Sequence, residues 1–499
     1  MSERRALSDR PDLRRLRREA KARRRAGEFE TLAVAQLAVA REHGFVSWPR
    51  LKHHVEALTL DAGARAEALV RSACSSNVRR ALALLEVDPG LGRHDLACAC
   101  VTGEADEVAR RLRRSPAAAA LRTGPLDRAP ILYACFSRLS RVDPGRRAGI
   151  RAVVQALVDA GADPDARYRQ GDWIQSTLYG AAGILGDPEL TALLIDTGAD
   201  PDDHGPVHTV GEALYHACEL PDPTCARLLI EAGTRRATVD YCLNRALNFD
   251  NPEMIRMFCA HGARPQGGSI QQAVWRRRDA ETVGLLLDAG APVDGLDEGA
   301  DRATALSPLQ VATRWGDEPV AALLRERGAD ETRVTDADRA LGGFLAGRPT
   351  DPGGREPTPA DALDGMLDLA VQRGDLAAVR RLLDAGARVD GDPGEEHPPL
   401  GNAAWRGHAE IAAELVRRGA RTRFGGGGSA IGAALHGSRH CQDPEGGPTM
   451  GTIDEVDRGR YTATVRALLE AGAEIPERFA AGDGEPTVAT LMAELGITP

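Results

Sequence analysis

One short phrase recurs along the 499-residue chain and constrains its fold more than any other feature. It stands as LLDAGARVD at 382–390, and its variants elsewhere are LVDAGADPD, LLIDTGADPD, LLIEAGT, FCAHGARP, LLLDAGAPVD, LLRERGADE, LVRRGAR and LLEAGAEI. A phrase repeated at intervals of about 20–50 residues is the sequence signature of a repeat protein, in which each copy is one unit that stacks on the next. The chain is therefore predicted to be an array of repeats.

The copies share a common register. Seven of them are marked by the glycines Gly198, Gly233, Gly262, Gly290, Gly328, Gly386 and Gly419. The residues found 11 positions before these glycines are Asp187, Asp222, Asn251, Asp279, Asp317, Asp375 and His408. Asp and Asn cap helix N-termini, because their side chains accept hydrogen bonds from unpaired backbone N–H groups. Each copy is thus predicted to contain a short second helix that begins after the polar residue and ends at a left-handed glycine.

Two stretches identify the type of repeat. The sequences SPLQVATRWGD at 307–317 and PPLGNAAWRGHAEI at 398–411 resemble the ankyrin repeat, whose pattern is TPLHxAAxxGHxEVVxLLLxxGAD. The resemblance covers about three quarters of the chain. It implies an all-α solenoid of stacked helix–turn–helix repeats with short β-turn fingers. Gln310 and Gly401 stand where the family has His, so the hydroxyl–imidazole network of its turn is absent.

Residues 1–60 differ from the array. The segment TLAVAQLAVAREHGFVSWPRLK at 31–52 resembles a helical module, with the pattern AQLxxARExGFxSWPxLK, that precedes ankyrin arrays in bacterial proteins. We interpret it as an N-terminal cap that covers the first repeat. Residues 1–25 form a basic arm with 11 Lys or Arg and 4 Asp or Glu, a balance of +7. Since the whole chain carries −10, the remainder carries about −17.

The spacing of the glycines predicts the organisation of the rest. Degenerate ankyrin-like repeats are expected at 61–120 and regular repeats at 121–331. A step of 58 residues between Gly328 and Gly386 predicts a linker or a broken repeat at 332–360. The C-terminal repeats then occupy 361–499, and a step of 53 residues between Gly419 and Gly472 indicates an insertion at 441–460.

Composition bears on compartment and partners. The nine cysteines show neither a disulfide framework nor zinc spacing, and are interpreted as small buried hydrophobes in a reducing cytosol. The sequence contains neither a secretory signal nor a run of about 18 apolar residues. A monomeric cytoplasmic protein without a membrane partner is therefore expected. Arg supplies 61 of the 63 basic residues, a bias typical of GC-rich bacteria.

No catalytic or metal-binding set emerges from the sequence. His53 and His54, and the group His436, His440 and Cys441, lack carboxylate or thiolate partners at metal-ligand spacing. The glycine run at 425–429 lacks the Lys–Ser/Thr of a phosphate-binding loop. The chain is predicted to have no cofactor and no metal, and not to be an enzyme.

The resemblance implies that the positions ahead of the Gly–His/Asp of each first helix face a concave groove that contacts partners. Trp and Arg dominate binding energy at interfaces. The candidate partner-binding residues are Trp315, Arg314, Trp405, Arg406, Gln372 and Arg373 in the array and Tyr168 and Trp173 in a longer finger. The alternative, that each Trp packs against the adjacent finger, is equally open. Trp275 aligns with the second Ala of the helix and is expected to be a packing residue.

These observations predict a non-enzymatic scaffold that binds a protein partner on its concave surface. The alternative is a nucleic-acid-associated regulator that uses the basic arm at 1–25. Nucleic acid is the less expected partner, because an acidic array disfavours non-specific binding to it.

Overall fold

The computed structural model describes residues 5–8, 11–29, 32–45, 48–75, 78–170, 173–203, 211–249, 251–296, 299, 305–347, 360–391, 398–424, 428–440 and 455–473. The structure is 65% helical, which confirms the predicted all-α class. The described residues contain one sheet, an antiparallel hairpin in which β1 (Arg167–Gln170) pairs with β2 (Trp173–Ser176). The chain divides into two compact units.

The first unit holds the described residues as far as Ala217, together with Thr224–Gly233. Its helices are α1 (Leu13–Arg25), α2 (Leu32–Glu42), α3 (Trp48–Thr59), α4 (Ala62–Ala73), α5 (Val78–Val87), α6 (Leu96–Thr102), α7 (Ala105–Arg114), α8 (Pro130–Cys135), α9 (Leu139–Val142), α10 (Pro144–Asp159), α11 (Pro188–Asp196), α12 (Glu212–Ala217) and α13 (Thr224–Glu231). A π-helix at Tyr179–Leu185 precedes α11 and packs against α12.

The second unit holds Cys218–Pro223 and the described residues from Thr234 onward. Its helices are α14 (Arg236–Ala246), α15 (Pro252–Ala260), α16 (Ser269–Trp275), α17 (Ala280–Asp288), α18 (Pro308–Trp315), α19 (Glu318–Glu326), α20 (Asp336–Leu345), α21 (Ala360–Gln372), α22 (Leu376–Asp384), α23 (Pro399–Trp405), α24 (Ala409–Arg417), α25 (Ala430–His440) and α26 (Glu455–Glu470).

Helices α1, α2 and α3 form a small bundle at the N-terminal end of the first unit. Helix α1 packs against α2, and α2 against α3. Their shared core includes Leu16, Ala20, Val39, Leu51 and Val55, all buried. The apolar spacing at positions 16 and 20 places both residues on the side of α1 that meets the bundle, so the opposite side of α1 is left to solvent.

The predicted ends of the second helices are confirmed. Side-chain caps that accept a backbone N–H are made by Asp187, Asn251, Asp279, Asp317 and Asp375. His408 also stands at the N-cap but makes no side-chain cap bond. All seven marker glycines have positive φ, for example +99° at Gly386. Where these caps are made, they and the glycines mark where the second helix starts and stops.

In the second unit, each helix of a pair packs against the corresponding helix of the next pair. First helices meet first helices in the contacts of α16 with α18, α21 with α23, and α23 with α25. Second helices meet second helices in the contacts of α15 with α17, α17 with α19, and α24 with α26. Each helix is short, so most of its stability comes from burying its apolar stripe against these neighbours.

Arginine side chains join the end of one helix to the next pair. The Arg278 guanidinium donates to the Leu247 carbonyl oxygen at 3.1 Å, and Arg381 donates to the carbonyl oxygen of Leu345. In the first unit, Arg146 donates to the Thr102 carbonyl oxygen at 3.0 Å. The last carbonyls of a helix have no intrahelical donor and carry partial negative charge, so a cation there stabilises the helix end.

The turn before α18 is held together by the side chains of Ser307 and Gln310. The Ser307 side chain accepts from the Gln310 N–H, and the Ser307 N–H donates to the Gln310 side chain at 3.0 Å, which is a capping box. The Gln310 amide also donates to the Arg333 carbonyl oxygen at 2.7 Å, and so connects α18 to the next turn.

The stretch predicted as a linker or broken repeat contains helix α20. This helix packs against α18. Gly342 makes the close approach possible, because a Cβ on it would come closer than 3.0 Å to the Thr313 carbonyl oxygen. Residues 348–359 of the expected linker lie outside the described residues, as do 441–454 of the predicted insertion.

Candidate functional site

Trp315 ends helix α18, and its side chain is only 6% exposed. The guanidinium of Arg373 lies over the indole, with its central carbon 4.1 Å from the ring centroid, and that of Arg277 lies at 5.8 Å. Cation–π contact of this kind adds to the burial of the ring. Of the two alternatives for Trp315, packing is therefore the one observed, although the ring packs under Arg373 rather than against a finger.

The Arg373 side chain bonds to backbone carbonyls within the second unit. Its Nε donates to the Trp275 carbonyl oxygen at 2.8 Å, and one terminal nitrogen donates to the Val274 carbonyl oxygen at 2.9 Å. Burial, and after it the nearby charge of Arg277, lowers the pKa of Arg373. The side chain thus stabilises the C-terminus of α16 from a position 98 residues away.

Arg277 occupies a place where the following helix pairs use glycine, as at Gly316. Its φ is +52°, and the next N–H, that of Arg278, bonds to the Ala273 carbonyl oxygen at 2.8 Å. The same bond follows Gly316, where the Asp317 N–H reaches the Ala312 carbonyl oxygen. Arg277 therefore corresponds to Gly316, and the turn leading to Asp279 is one residue longer than the turn leading to Asp317.

This longer turn overturns the expectation for Trp275. When the repeats are aligned on Asp279, Trp275 corresponds to an Ala that packs. When they are aligned instead on the residues with positive φ, Arg277 and Gly316, Trp275 corresponds to Arg314. Its side chain is 45% exposed, one of the few large apolar side chains at the surface of the described residues. The prediction that Trp275 packs was wrong because the count assumed a turn of constant length. The signal available in the sequence was the Arg at 278 where Gly precedes Asp317.

Trp275, Arg276, Arg277, Arg373 and Asp375 together form what we term the Trp275 cluster. Arg277 is exposed and pairs with the Asp375 carboxylate at 3.5 Å. Arg373 joins the cluster through its bond to the Trp275 carbonyl oxygen, and Asp375 joins it through its ion pair with Arg277. The cluster therefore combines an exposed indole, which offers a flat apolar ring for stacking, with an exposed guanidinium at Arg277, which attracts carboxylates.

The other candidates in the second unit make contacts within the chain. Arg314 donates to the buried Asp338 carboxylate at 2.6 Å, and this pairing contributes to lowering the pKa of Asp338. Gln372 donates to the Asp368 carboxylate at 2.5 Å. Trp405 and Arg406 end helix α23 half-buried, and the Trp405 carbonyl oxygen accepts from the Tyr461 hydroxyl at 2.8 Å.

Tyr168 and Trp173 lie on the hairpin of the first unit. The Tyr168 ring is covered by the Arg128 guanidinium, 3.5 Å from its centroid, and meets Phe136 edge-on at 5.3 Å. Burial raises the pKa of Tyr168. Trp173 faces Gln170 across the hairpin, and its side chain lies outside the described residues. One face of Tyr168 is therefore engaged within the chain.

Several thiols of the first unit lie in its interior. Burial raises the pKa of Cys74 to about 12, and raises the pKa of Cys98, Cys100 and Cys135 as well. A thiol with a raised pKa is a weak nucleophile at neutral pH, because little thiolate is present. Across the described ranges, no three His, Cys, Asp or Glu side chains gather closely enough to hold a metal ion.

Comparisons with known proteins found neither a matching family model nor a matching curated relative. Within the described part of the chain, none of the helices has both the length and the apolar character needed to cross a membrane.

Proposed function

We propose that the chain is an ankyrin-type solenoid and works as a non-enzymatic scaffold that binds a protein partner. The shared register of the marker glycines and the packing of like helices on like support the repeat assignment. Ends of first helices are where the ankyrin resemblance implies partner contact, and the Trp275 cluster lies at such an end.

The exposed indole of Trp275 is the observation that carries this proposal. The ring is 45% exposed, and Trp and Arg are enriched among the residues that dominate binding at protein interfaces. Trp315, Arg314 and Arg373, by contrast, are engaged in contacts within the chain. The partner we propose presents an apolar or aromatic side chain next to carboxylates.

Arg277 adds a second argument for binding. A non-glycine residue in the left-handed region costs about 1 kcal/mol, and the pair that follows avoids this cost with Gly316. The exposed ion pair between Arg277 and Asp375 offsets little of that cost, since such pairs contribute about 0–1 kcal/mol to stability. Retained strain of this kind is typical of functional sites.

The test is capture of the partner from native cell extract by the full-length protein and three variants. Trp275→Ala is expected to abolish capture. Arg277→Gly is expected to weaken capture while raising the urea midpoint, which separates binding from folding. Tyr241→Ala is the matched control, because Tyr241 is an aromatic residue of the same unit with 43% exposure. Capture of the same protein by Trp275→Ala and by the parent chain would refute the proposed site.

A further inference from the structure

Helix α1 displays one continuous cationic stripe. Its members, spaced three or four residues apart and therefore on one face, are Arg14, Arg17, Arg18, Lys21, Arg24 and Arg25. All six side chains are exposed. At about 1.5 Å per residue, the stripe extends roughly 16 Å along the helix.

The stripe makes almost no use of its charge within the protein. Among the described residues, its single ion pair joins Arg18 to Asp12 at 3.9 Å, and both side chains of this pair are largely solvent-exposed. Several arginines elsewhere do use their charge: they donate to helix-end carbonyls or pair with buried carboxylates, as Arg151 does with Asp187 at 2.7 Å. Six adjacent cations without such partners are left for an external anion.

The bundle holds this stripe in a fixed orientation. Leu16 and Ala20 anchor the opposite side of α1 in the core of the bundle. Arg23, outside the stripe, pairs with Glu28 at 2.8 Å and with Glu42 on α2 at 2.5 Å. A ligand therefore meets six positive charges on a helix that is already folded and docked, which reduces the ordering cost of binding.

We infer that the α1 stripe is a binding site for the sugar–phosphate backbone of nucleic acid, separate from the Trp275 cluster and independent of the proposed scaffold function. Five of the six residues are Arg, whose planar fork matches phosphate oxygens in bidentate contacts. The stripe has no aromatic or amide side chain to read bases, so the binding is independent of sequence. The remainder of the chain carries about −17 and repels a polyanion, which confines the contact to α1.

An anionic membrane fits the stripe less well. Surface-bound helices bury an apolar face in the lipid in addition to their electrostatic attraction. The apolar side of α1 is already buried in the bundle, and the stripe itself contains cations alone. An acidic protein segment offers carboxylates in place of phosphates and is separated from nucleic acid by competition.

The test is fluorescence anisotropy of a labelled 20-base-pair DNA duplex titrated with the full-length protein. Neutralising about four phosphates predicts that raising salt from about 50 to 200 mM weakens binding about 100-fold. The stripe variant Arg14→Gln, Arg17→Gln, Lys21→Gln and Arg24→Gln is expected to bind at least tenfold more weakly at the lower salt. Gln has a helix propensity close to that of Arg and Lys, so α1 is retained, as circular dichroism would verify.

The matched control makes the same change in net charge elsewhere, with Arg113→Gln, Arg114→Gln, Arg169→Gln and Arg264→Gln. These four side chains are also exposed. The control is expected to bind within twofold of the parent. Equal losses in the two variants would mean that net charge alone governs binding, and would overturn the site. The inference is also overturned if the duplex does not bind at 50 mM salt, if polyglutamate of matched charge competes as well as unlabelled duplex, or if phosphatidylserine vesicles bind more tightly.

Discussion

Two adjacent glycines of helix α20 allow the packing of this helix to be tested with one type of substitution. A Cβ added to Gly343 meets no atom within 4 Å. A Cβ added to Gly342 would come closer than 3.0 Å to the Thr313 carbonyl oxygen of α18. Both positions lie inside α20, so Ala gains the same helix propensity at either one.

The magnitudes follow from these two environments. Gly343→Ala is expected to raise the free energy of unfolding by about 0.5–1 kcal/mol, because Gly is that much less favourable than Ala within a helix. Gly342→Ala gains the same term but forces α20 away from α18, and overpacking of this kind costs about 1–3 kcal/mol. The propensity term cancels in the comparison, so the two variants differ by about 1–3 kcal/mol.

The assay is urea unfolding followed by circular dichroism and by tryptophan fluorescence. Since Trp315 lies on α18, fluorescence also reports on the helix that α20 contacts. With a slope of about 3 kcal/mol per molar urea, the midpoints should differ by about 0.3–1 M. Equal midpoints would refute the reasoning, because they would mean that α20 does not pack on α18 and that the array is interrupted before residue 347.

Three further outcomes are expected. Gly386→Val should destabilise more than Gly428→Val in urea, because Gly386 has φ +99° and strain there costs about 1–3 kcal/mol; equal midpoints would contradict this. Arg373→Ala should shift tryptophan emission to longer wavelength, because it uncovers Trp315, and an unchanged spectrum would mean that the guanidinium does not cover the ring. Burial raises the pKa of Asp203 to about 6, above its unfolded value of about 3.9. The native state therefore binds more protons than the unfolded state between these values, and the free energy of unfolding should fall as pH rises from about 4 to 6. Thermal unfolding of Asp203→Asn should lack that part of the pH dependence, and identical pH profiles would show that Asp203 does not cause it.

The sequence predicted what depends on local interactions. The caps at Asp187 and Asp375 and the left-handed conformation of Gly386 follow from backbone groups within a few residues, and the structure confirms all three. Helix α20 also had a local signal, because Thr335 and Asp338 form a capping box. The prediction of a linker or a broken repeat used only the 58-residue step between Gly328 and Gly386 and did not consider this capping box.

The candidate site could not be predicted to the same extent, because it depends on contacts between distant residues. The cover over Trp315 comes from Arg373, and the sequence offers no reason for that particular pairing. The exposure of Trp275 depends on one additional residue in a turn, which moves the side chains ahead of it to a different part of the helix surface. Errors of one residue change which face a side chain occupies, so position within a motif is a weak guide to exposure.

The use of arginine links the fold to the two proposed sites. Arg278 and Arg381 donate to carbonyls at the ends of neighbouring helices. An arginine held in this way is desolvated and has few donors left for a ligand, so abundance of arginine does not indicate binding. Binding is instead expected where exposed cations are clustered on one helix face, as in the α1 stripe, or where an exposed cation is held in a strained backbone conformation, as at Arg277. Substitution of these residues should alter binding more than stability. Substitution of Arg278 or Arg381 should do the reverse.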